Sequence, residues 1–173
     1  MMKNIFNIIG FQVSWWGCVL GVKSGMTYLG PFLMLCFLTV HIVRFLDNYS
    51  EIKVIILFGI IGTMIDTSMA YSEILIYNGK YTPDTFFAPL WITSMWCGFS
   101  ATINHSLQWL RHRYFASVLL GVVSGPLSYL AGIKFGAIEF DVAPIIALLI
   151  IAIFYGLTIP IMYWVNEKLV LNR

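Results

Sequence analysis

The sequence predicts an all-α integral membrane protein, a bundle of six transmembrane helices with the amino and carboxyl termini both in the cytoplasm. Three observations predict this fold. Hydrophobic residues make up 60% of the chain and charged residues only 10%, against roughly 45–50% and about 25% in a soluble domain. Each crossing needs about 20 mostly apolar residues, so the 173 residues form one transmembrane domain, residues 1–173, with short connections.

The six predicted helices follow six apolar runs in the sequence. These runs cover residues 5–22, 28–46, 52–77, 88–110, 114–135 and 142–166. Hydrocarbon offers no partner to an unpaired backbone group, and the runs are too long and too continuous for the alternating strands of a barrel. We therefore expect helices throughout, with neighbours in sequence running antiparallel.

The distribution of basic residues predicts the orientation. One face of the bundle is expected to carry Lys3, Arg44, Lys53, Arg111, Arg113, Lys168 and Arg173, and the opposite face only Lys23, Lys80 and Lys134. Basic loops stay in the cytoplasm, which places both termini there. Aromatic residues near the predicted helix ends indicate interfacial belts, and these are Tyr81, Trp91, Trp109, Tyr114, Tyr163 and Trp164.

Charge and cysteine usage exclude several classes of function. The net charge of +2 is small and its basic residues are scattered, so a nucleic-acid partner is not expected. The three cysteines, Cys18, Cys36 and Cys97, lie in apolar runs without the paired spacing of a zinc site or a disulfide framework. We expect buried free thiols, no cofactor and no metal.

Small residues recur at helix-packing intervals. Gly17 and Gly21 are four residues apart in the first helix, and a longer stripe follows the fifth: Ser117, Gly121, Gly125, Ser128, Gly132 and Gly136. Such stripes let helix backbones approach closely in lipid. Two interpretations stay open, packing within the chain or a face that forms a homo-oligomer.

Ionisable groups inside the bilayer are the most informative residues, because they usually face the bundle interior and mark function. Asp66 is the deepest of them, about 14 residues or ~21 Å from the cytoplasmic end of the third helix. Glu73 is predicted two turns further out on the same face. The pair either lines an outward-facing polar cavity, or Asp66 is protonated or hydrogen-bonded to a neighbouring helix.

A second polar set lies in the predicted cytoplasmic half. It comprises Gln12 of the first helix, His41 of the second, and Asn104, His105 and Gln108 of the fourth, with Ser100 and Cys97 continuing that face. The similar depth of these residues allows one ligand site between three helices, in which the histidines shuttle protons or bind the ligand. Two histidines without a nearby carboxylate make a weak metal site, and the amides alternatively serve as interhelical hydrogen bonds.

The sequence carries no motif that favours an enzyme. Nucleophile elbows, zinc-protease helices, phosphate-binding loops and dinucleotide fingerprints are all absent from it. Intramembrane enzymes have sparse motifs, however, so a lipid-modifying activity that uses His41, His105 or Asp66 remains an alternative.

Several segments resemble a known family. They are Phe11-Gln12 with Trp15, Ala88-Pro89-Leu90-Trp91, Asn104-His105-Ser106-Leu107-Gln108-Trp109-Leu110, and Gly125-Pro126-Leu127-Ser128-Tyr129 followed by Gly132 and Gly136-Ala137. The chain resembles, over nearly its whole length, a bacterial family of small six-helix inner-membrane proteins that is defined only as a domain of unknown function. Asp66 matches an Asp of that family's third helix. The resemblance implies a bacterial inner membrane and genes that are often neighbours of fatty-acid-modifying enzymes of the cyclopropane-synthase type.

The function that these observations favour is binding or transport of a small amphipathic or lipid-like molecule inside the bundle, with membrane lipids as further partners. One rival is a small-solute uptake protein similar to the six-helix substrate-binding components of vitamin transporters. The others are the intramembrane enzyme and a structural partner of another membrane protein. The sequence identifies neither the ligand nor the oligomeric state.

Overall fold

Six α-helices and one two-stranded sheet lie within residues 2–171, the part of the chain that this computed structural model describes. The helices are α1 (Met2–Lys23), α2 (Leu29–Val40), α3 (Ser50–Tyr71), α4 (Leu90–Ser100), α5 (Tyr114–Lys134) and α6 (Pro144–Asn166). Strands β1 (Leu75–Tyr77) and β2 (Ile138–Phe140) pair antiparallel, with Ile76 opposite Glu139. The predicted helical bundle is confirmed, with this small two-stranded sheet as an addition.

Four of the helices are long and apolar enough to cross a membrane. They are α1, α3, α5 and α6, the last extended to Val170. The apolar helix Leu29–Phe45 is shorter than these four. It consists of α2 and the π-helical turn His41–Phe45 that continues it. The chain is a membrane protein; its orientation stays a prediction, and Arg173, which contributed to it, lies outside the described residues.

The bundle has two ends, which we name by what lies there. The sheet end contains residues 24–28, 72–89 and 135–143, which include β1 and β2. The terminal end contains the start of α1, residues 46–49 and 101–113, and the end of α6. Thr27 packs against Gly79 at the sheet end. At the terminal end Lys3 donates a hydrogen bond to Asp47, which lowers the pKa of that exposed carboxyl group.

Glycines allow close helix contacts within the chain. A Cβ atom on Gly121 would lie 2.3 Å from the carbonyl oxygen of Tyr155, which brings α5 and α6 into backbone contact. Gly30 of α2 approaches Cys18 of α1 as closely, because a Cβ there would lie 2.2 Å from the Cys18 Cα atom. The small residues therefore serve packing inside the bundle, while a homo-oligomer stays a prediction.

The third helix is shorter than the sequence predicted. It ends at Tyr71, and residues 75–77, which we assigned to its last turn, form β1 instead. Leu75 and Tyr77 are buried and Ile76 between them is exposed, the alternation of a strand with one buried face. A three-residue strand next to a long apolar helix is too short to change the hydrophobic pattern, so the sequence could not separate the two.

Two of the aromatic residues assigned to interfacial belts are buried instead. Trp91 and Tyr163 are each 1% exposed. The Trp91 indole N–H donates to the Asn78 carbonyl at 3.0 Å, and the Tyr163 hydroxyl donates to the Leu107 carbonyl at 2.8 Å. Each polar tip forms a hydrogen bond with a carbonyl group of a connecting segment, so these two rings pack inside the bundle and do not belong to an interfacial belt.

Candidate functional site

A half-enclosed cavity of about 350 Å³ lies between α1, α4, α5 and α6, in the half of the bundle nearer the sheet end. Its walls are largely aromatic, and the rings that line it are Phe11, Trp15, Trp91, Trp96, Phe99 and Tyr155. Polar groups are few, and they are contributed by Gln12, Ser124, Ser128 and Tyr129. This combination of apolar walls and a small number of placed polar groups is typical of small-molecule sites.

The cavity opens sideways between α1 and α5. Gln12 of α1 and Leu127 of α5 both line it and are both exposed. Toward the sheet end the cavity is bounded by buried Trp91 and by Ile138 of β2. Both α1 and α5 are long and apolar enough to cross a membrane, so in a bilayer this side of the bundle would face lipid.

Asp66 forms the buried support behind this cavity. Its carboxylate is fully buried and accepts hydrogen bonds from the Trp96 indole N–H at 2.7 Å, from the Tyr77 hydroxyl at 2.5 Å and from the Tyr129 hydroxyl. The Tyr155 hydroxyl donates in turn to that of Tyr129 at 3.4 Å. Trp96, Tyr129 and Tyr155 all line the cavity, so Asp66 fixes the wall without lining it.

Of the two interpretations of Asp66, the structure shows the hydrogen-bonded one. Its donors come from β1, α4 and α5, so three elements converge on one carboxylate. The alternative in which Asp66 and Glu73 share one helix face and line a cavity is wrong, because α3 ends at Tyr71 and Glu73 follows it as an exposed turn residue with φ of 55°. Tyr77 and Trp96 gave no signal in the sequence, since each is one more aromatic residue in an apolar run.

The fourth helix unwinds after Ser100, ten residues before its predicted end. Residues 101–107 form consecutive turns, followed by a 3-10 turn at Gln108–Leu110. Irregular backbone at membrane depth is tolerated only where protein covers it. Asn7 of α1 provides part of that cover, since its side chain donates to the Ala101 carbonyl at 3.0 Å and accepts from the Ser106 hydroxyl at 2.5 Å.

The unwinding changes where the predicted polar face points. Ser100 bonds back to the Trp96 carbonyl in its own helix, and Gln108 is exposed. Asn104 instead forms a reciprocal pair with Asn166 of α6, at 2.8 and 2.7 Å, and accepts from Arg111 Nη2 at 3.1 Å. Asn104 therefore ties the unwound segment to the last helix.

His105 turns the other way, toward α2 and α3. Its Nε2 atom lies 3.1 Å from Oε2 of Glu51, and its ring meets that of His41 edge to face with centroids 4.6 Å apart. All three side chains are buried. The expectation that no carboxylate lies near these histidines is wrong, because the short loop between α2 and α3 returns Glu51 to the level of His41. Glu51 directly precedes the predicted start of the third helix at residue 52, and it was not among the predicted site residues.

Five of the seven predicted polar residues thus occupy four separate places. Gln12 lines the cavity, Asp66 supports its wall, and His41 and His105 meet around Glu51 nearer the terminal end. Asn104 joins a separate amide pair, while Ser100 and Gln108 enter none of these groups. The aromatic lining of the cavity was not predicted.

Comparison with known proteins places the chain in a family. Residues 4–161 match the family described as "Protein of unknown function (DUF2878)". The chain belongs to this family. The match bears out the resemblance to a family of unknown function, and its description names no activity. No curated protein and no solved structure matches the chain, so function has to be inferred from the chain's own geometry.

Proposed function

We propose that this protein binds a small amphipathic or lipid-like molecule in the cavity between α1 and α5 and exchanges it with the surrounding bilayer. The observation that carries the proposal is the cavity's combination of aromatic walls and a lateral opening. Its volume of about 350 Å³ lies near the lower end of the range for small-molecule sites. An acyl chain or a compact isoprenoid-like ligand suits that space.

The polar groups suit the polar end of such a ligand. Gln12 stands at the opening on α1, and Ser124 and Ser128 line the opposite wall on α5. The Tyr129 hydroxyl is already committed to Asp66, deeper in the bundle. A ligand would therefore place its polar group near Gln12 and the two serines, and its apolar part against Trp91, Met95 and Trp96.

The lateral opening favours this function over uptake of a water-soluble solute. Such a solute needs a polar path from one end of the bundle. Trp91 and Ile138 bound the cavity toward the sheet end, and the Phe11 and Phe99 rings, with centroids 6.2 Å apart, lie on its other side. A lipid-like molecule needs only the opening between α1 and α5. Transport across the bilayer and chemical modification remain extensions of this binding step.

Replacing Ser124 by phenylalanine tests the proposal, because the added ring enters the cavity. The neighbouring Val123→Phe is the matched control, since Val123 is 55% exposed and does not line the cavity. We expect wild-type protein and Val123→Phe, purified from native membranes, to retain one class of amphipathic molecule enriched over its share in the bulk membrane. Ser124→Phe should lose that enrichment while its thermal unfolding midpoint stays within a few degrees of the control.

Mass-spectrometric analysis of extracted lipids and metabolites makes the measurement. Enrichment that is equal in all three proteins would place the ligand outside the cavity. Retention of bulk lipids alone by the wild type, in their membrane proportions, would remove the proposal.

We also propose that the protein lies in a bacterial inner membrane with both termini in the cytoplasm. The unequal distribution of basic residues between the two ends supports this orientation, since Lys3, Arg111 and Arg113 belong to the terminal end and Lys80 to the sheet end. Reporter fusions after Arg113 and at the carboxyl terminus should give cytoplasmic signals, and a fusion near Lys80 a periplasmic signal. The reverse pattern would invert the orientation.

A further inference from the structure

A buried cluster with the composition of a metal site lies nearer the terminal end, apart from the cavity. It consists of His41, Glu51 and His105, which we name the His–Glu cluster. One nitrogen or oxygen atom from each side chain lies within 4.8 Å of the others. The three residues are 0%, 5% and 4% exposed. None of them lines the cavity assigned to the amphipathic ligand.

His41 is the observation that points to a ligand. Neither of its ring nitrogens has a hydrogen-bond partner among the residues that the structure describes. A buried imidazole without any partner loses its hydration without compensation, which destabilises the folded protein. Its ring lies against Phe37 on one side and His105 on the other, with centroids 5.8 and 4.6 Å away. A cation in the cluster would satisfy one of these nitrogens.

The geometry of the other two residues already fits a metal ion. Zinc bonds nitrogen and oxygen ligands at about 2.0–2.2 Å, so neighbouring ligand atoms of a tetrahedral site lie about 3.2–3.6 Å apart. Glu51 Oε2 and His105 Nε2 are separated by 3.1 Å, close to one edge of such a tetrahedron. His41 needs only a small ring movement to complete the set, and no hydrogen bond from the described residues opposes it.

Irregular backbone positions both histidines. His41 is the first residue of the π-helical turn after α2, and His105 lies in the unwound segment after α4. Insertions of π-helix recur at functional sites. The exposed loop residues Asp47 and Tyr49 lie between His41 and Glu51 in the chain, so two of the three residues of the cluster flank a short loop at the terminal end.

We propose that His41, Glu51 and His105 bind one divalent transition-metal ion of the zinc class per chain. The ligands are one nitrogen from each imidazole and one carboxylate oxygen. Two histidines and one glutamate are a ligand set of zinc sites that keep a fourth position for water or a substrate. The negative carboxylate partly compensates the ion's charge in a buried setting, which two imidazoles alone do not.

Zinc binding to the full-length protein tests the proposal. Detergent-purified protein is stripped with a chelator, dialysed and titrated with Zn²⁺ against a competing chromophoric chelator, and bound zinc is counted by elemental analysis. We expect one equivalent. His41→Gln, Glu51→Gln and His105→Gln should each weaken binding by at least about 100-fold, because loss of even an outer partner of a ligand costs about 10–100-fold.

His112→Gln is the matched control. His112 also approaches a glutamate, with its Nδ1 atom 3.1 Å from Glu167 Oε1, but its side chain is 71% exposed. The control should bind zinc as the wild type does. Loss of the zinc equivalent in His112→Gln, with retention in His41→Gln, would place the metal at the surface and overturn the proposal.

Spectroscopy of the wild type decides the matter even when a variant fails to fold. Co²⁺ in place of zinc should give the visible absorption of a four- or five-coordinate nitrogen and oxygen site. X-ray absorption of the zinc complex should show scattering from two imidazoles and none from sulfur. A protein that binds less than 0.1 equivalent, or a spectrum of a fully hydrated ion, would show that the cluster is only a hydrogen-bonded packing contact.

Discussion

Replacing Asp66 by leucine is expected to lower the free energy of unfolding by about 2–5 kcal/mol. The lower bound is three times the ~0.6 kcal/mol average of an interhelical hydrogen bond in membranes, because three donors lose their acceptor. The upper bound corresponds to three buried donors left without a partner at a little under about 2 kcal/mol each, within the ~1–3 kcal/mol range for an unsatisfied buried group. Thermal unfolding and titration with denaturing detergent measure the effect.

Two companion variants make the Asp66 result specific. Asp66→Asn retains the shape of the side chain and one carbonyl acceptor, so it should cost less than leucine. Asp84→Leu, which changes an exposed acid in the segment before α4, should leave unfolding nearly unchanged. An Asp66→Leu protein as stable as the wild type would show that this carboxylate does not hold Tyr77, Trp96 and Tyr129 together.

Asn104→Leu is the second large effect that we expect, a loss of about 1–3 kcal/mol, because Asn166 stays buried with its amide unpaired. Leucine matches asparagine in size, so the loss of hydrogen bonds outweighs the change in packing. Gln108→Leu replaces an exposed amide in the same segment and should change stability little. Unfolding in detergent measures both.

A double substitution separates hydrogen bonding from other effects of the Asn104 change. When both partners become apolar, no buried amide is left unpaired. Asn104→Leu combined with Asn166→Leu should therefore cost less than the sum of the single changes. Additive costs would mean that the pair is not coupled, although its two hydrogen bonds are short. Ligand retention should survive Asn104→Leu, because Asn104 does not line the cavity.

The sequence predicted the helices well because bilayer physics leaves few choices. About twenty apolar residues in hydrocarbon must form a helix, and all six predicted starts lie within three residues of those observed, as at Tyr114 and Leu29. Asp66 stood out for the same reason, since a lone carboxyl group deep in an apolar run needs partners. What it touches was a question of tertiary packing.

The parts that sequence could not supply depend on local departures from regular structure. Depth along an ideal helix placed Asn104 and Gln108 on one face, but the unwound segment after Ser100 sends Asn104 to α6 and His105 to Glu51. Hydrophobicity alone does not show where a helix stops when the following residues are buried by other helices. The same limit hid β1, and with it Tyr77.

The cavity was also beyond sequence analysis, for a different reason. Its walls come from residues on four helices and on β2, and nearly all of them, taken alone, are ordinary aromatic, aliphatic or small side chains of an apolar segment. Only the packing of these helices brings the side chains together around one cavity, with Gln12 and Leu127 at its exposed side. The resemblance to a family of unknown function supplied no ligand from which to work backward.

The occupancy of this cavity is the most direct test of the proposed function. Native mass spectrometry of the wild type released from mild detergent should show one adduct of constant mass per chain. The adduct should persist in Val123→Phe and be absent from Ser124→Phe. A wild-type protein that carries no adduct after supply of the lipids of its own membrane, or a Ser124→Phe protein that carries the same one, would contradict the account.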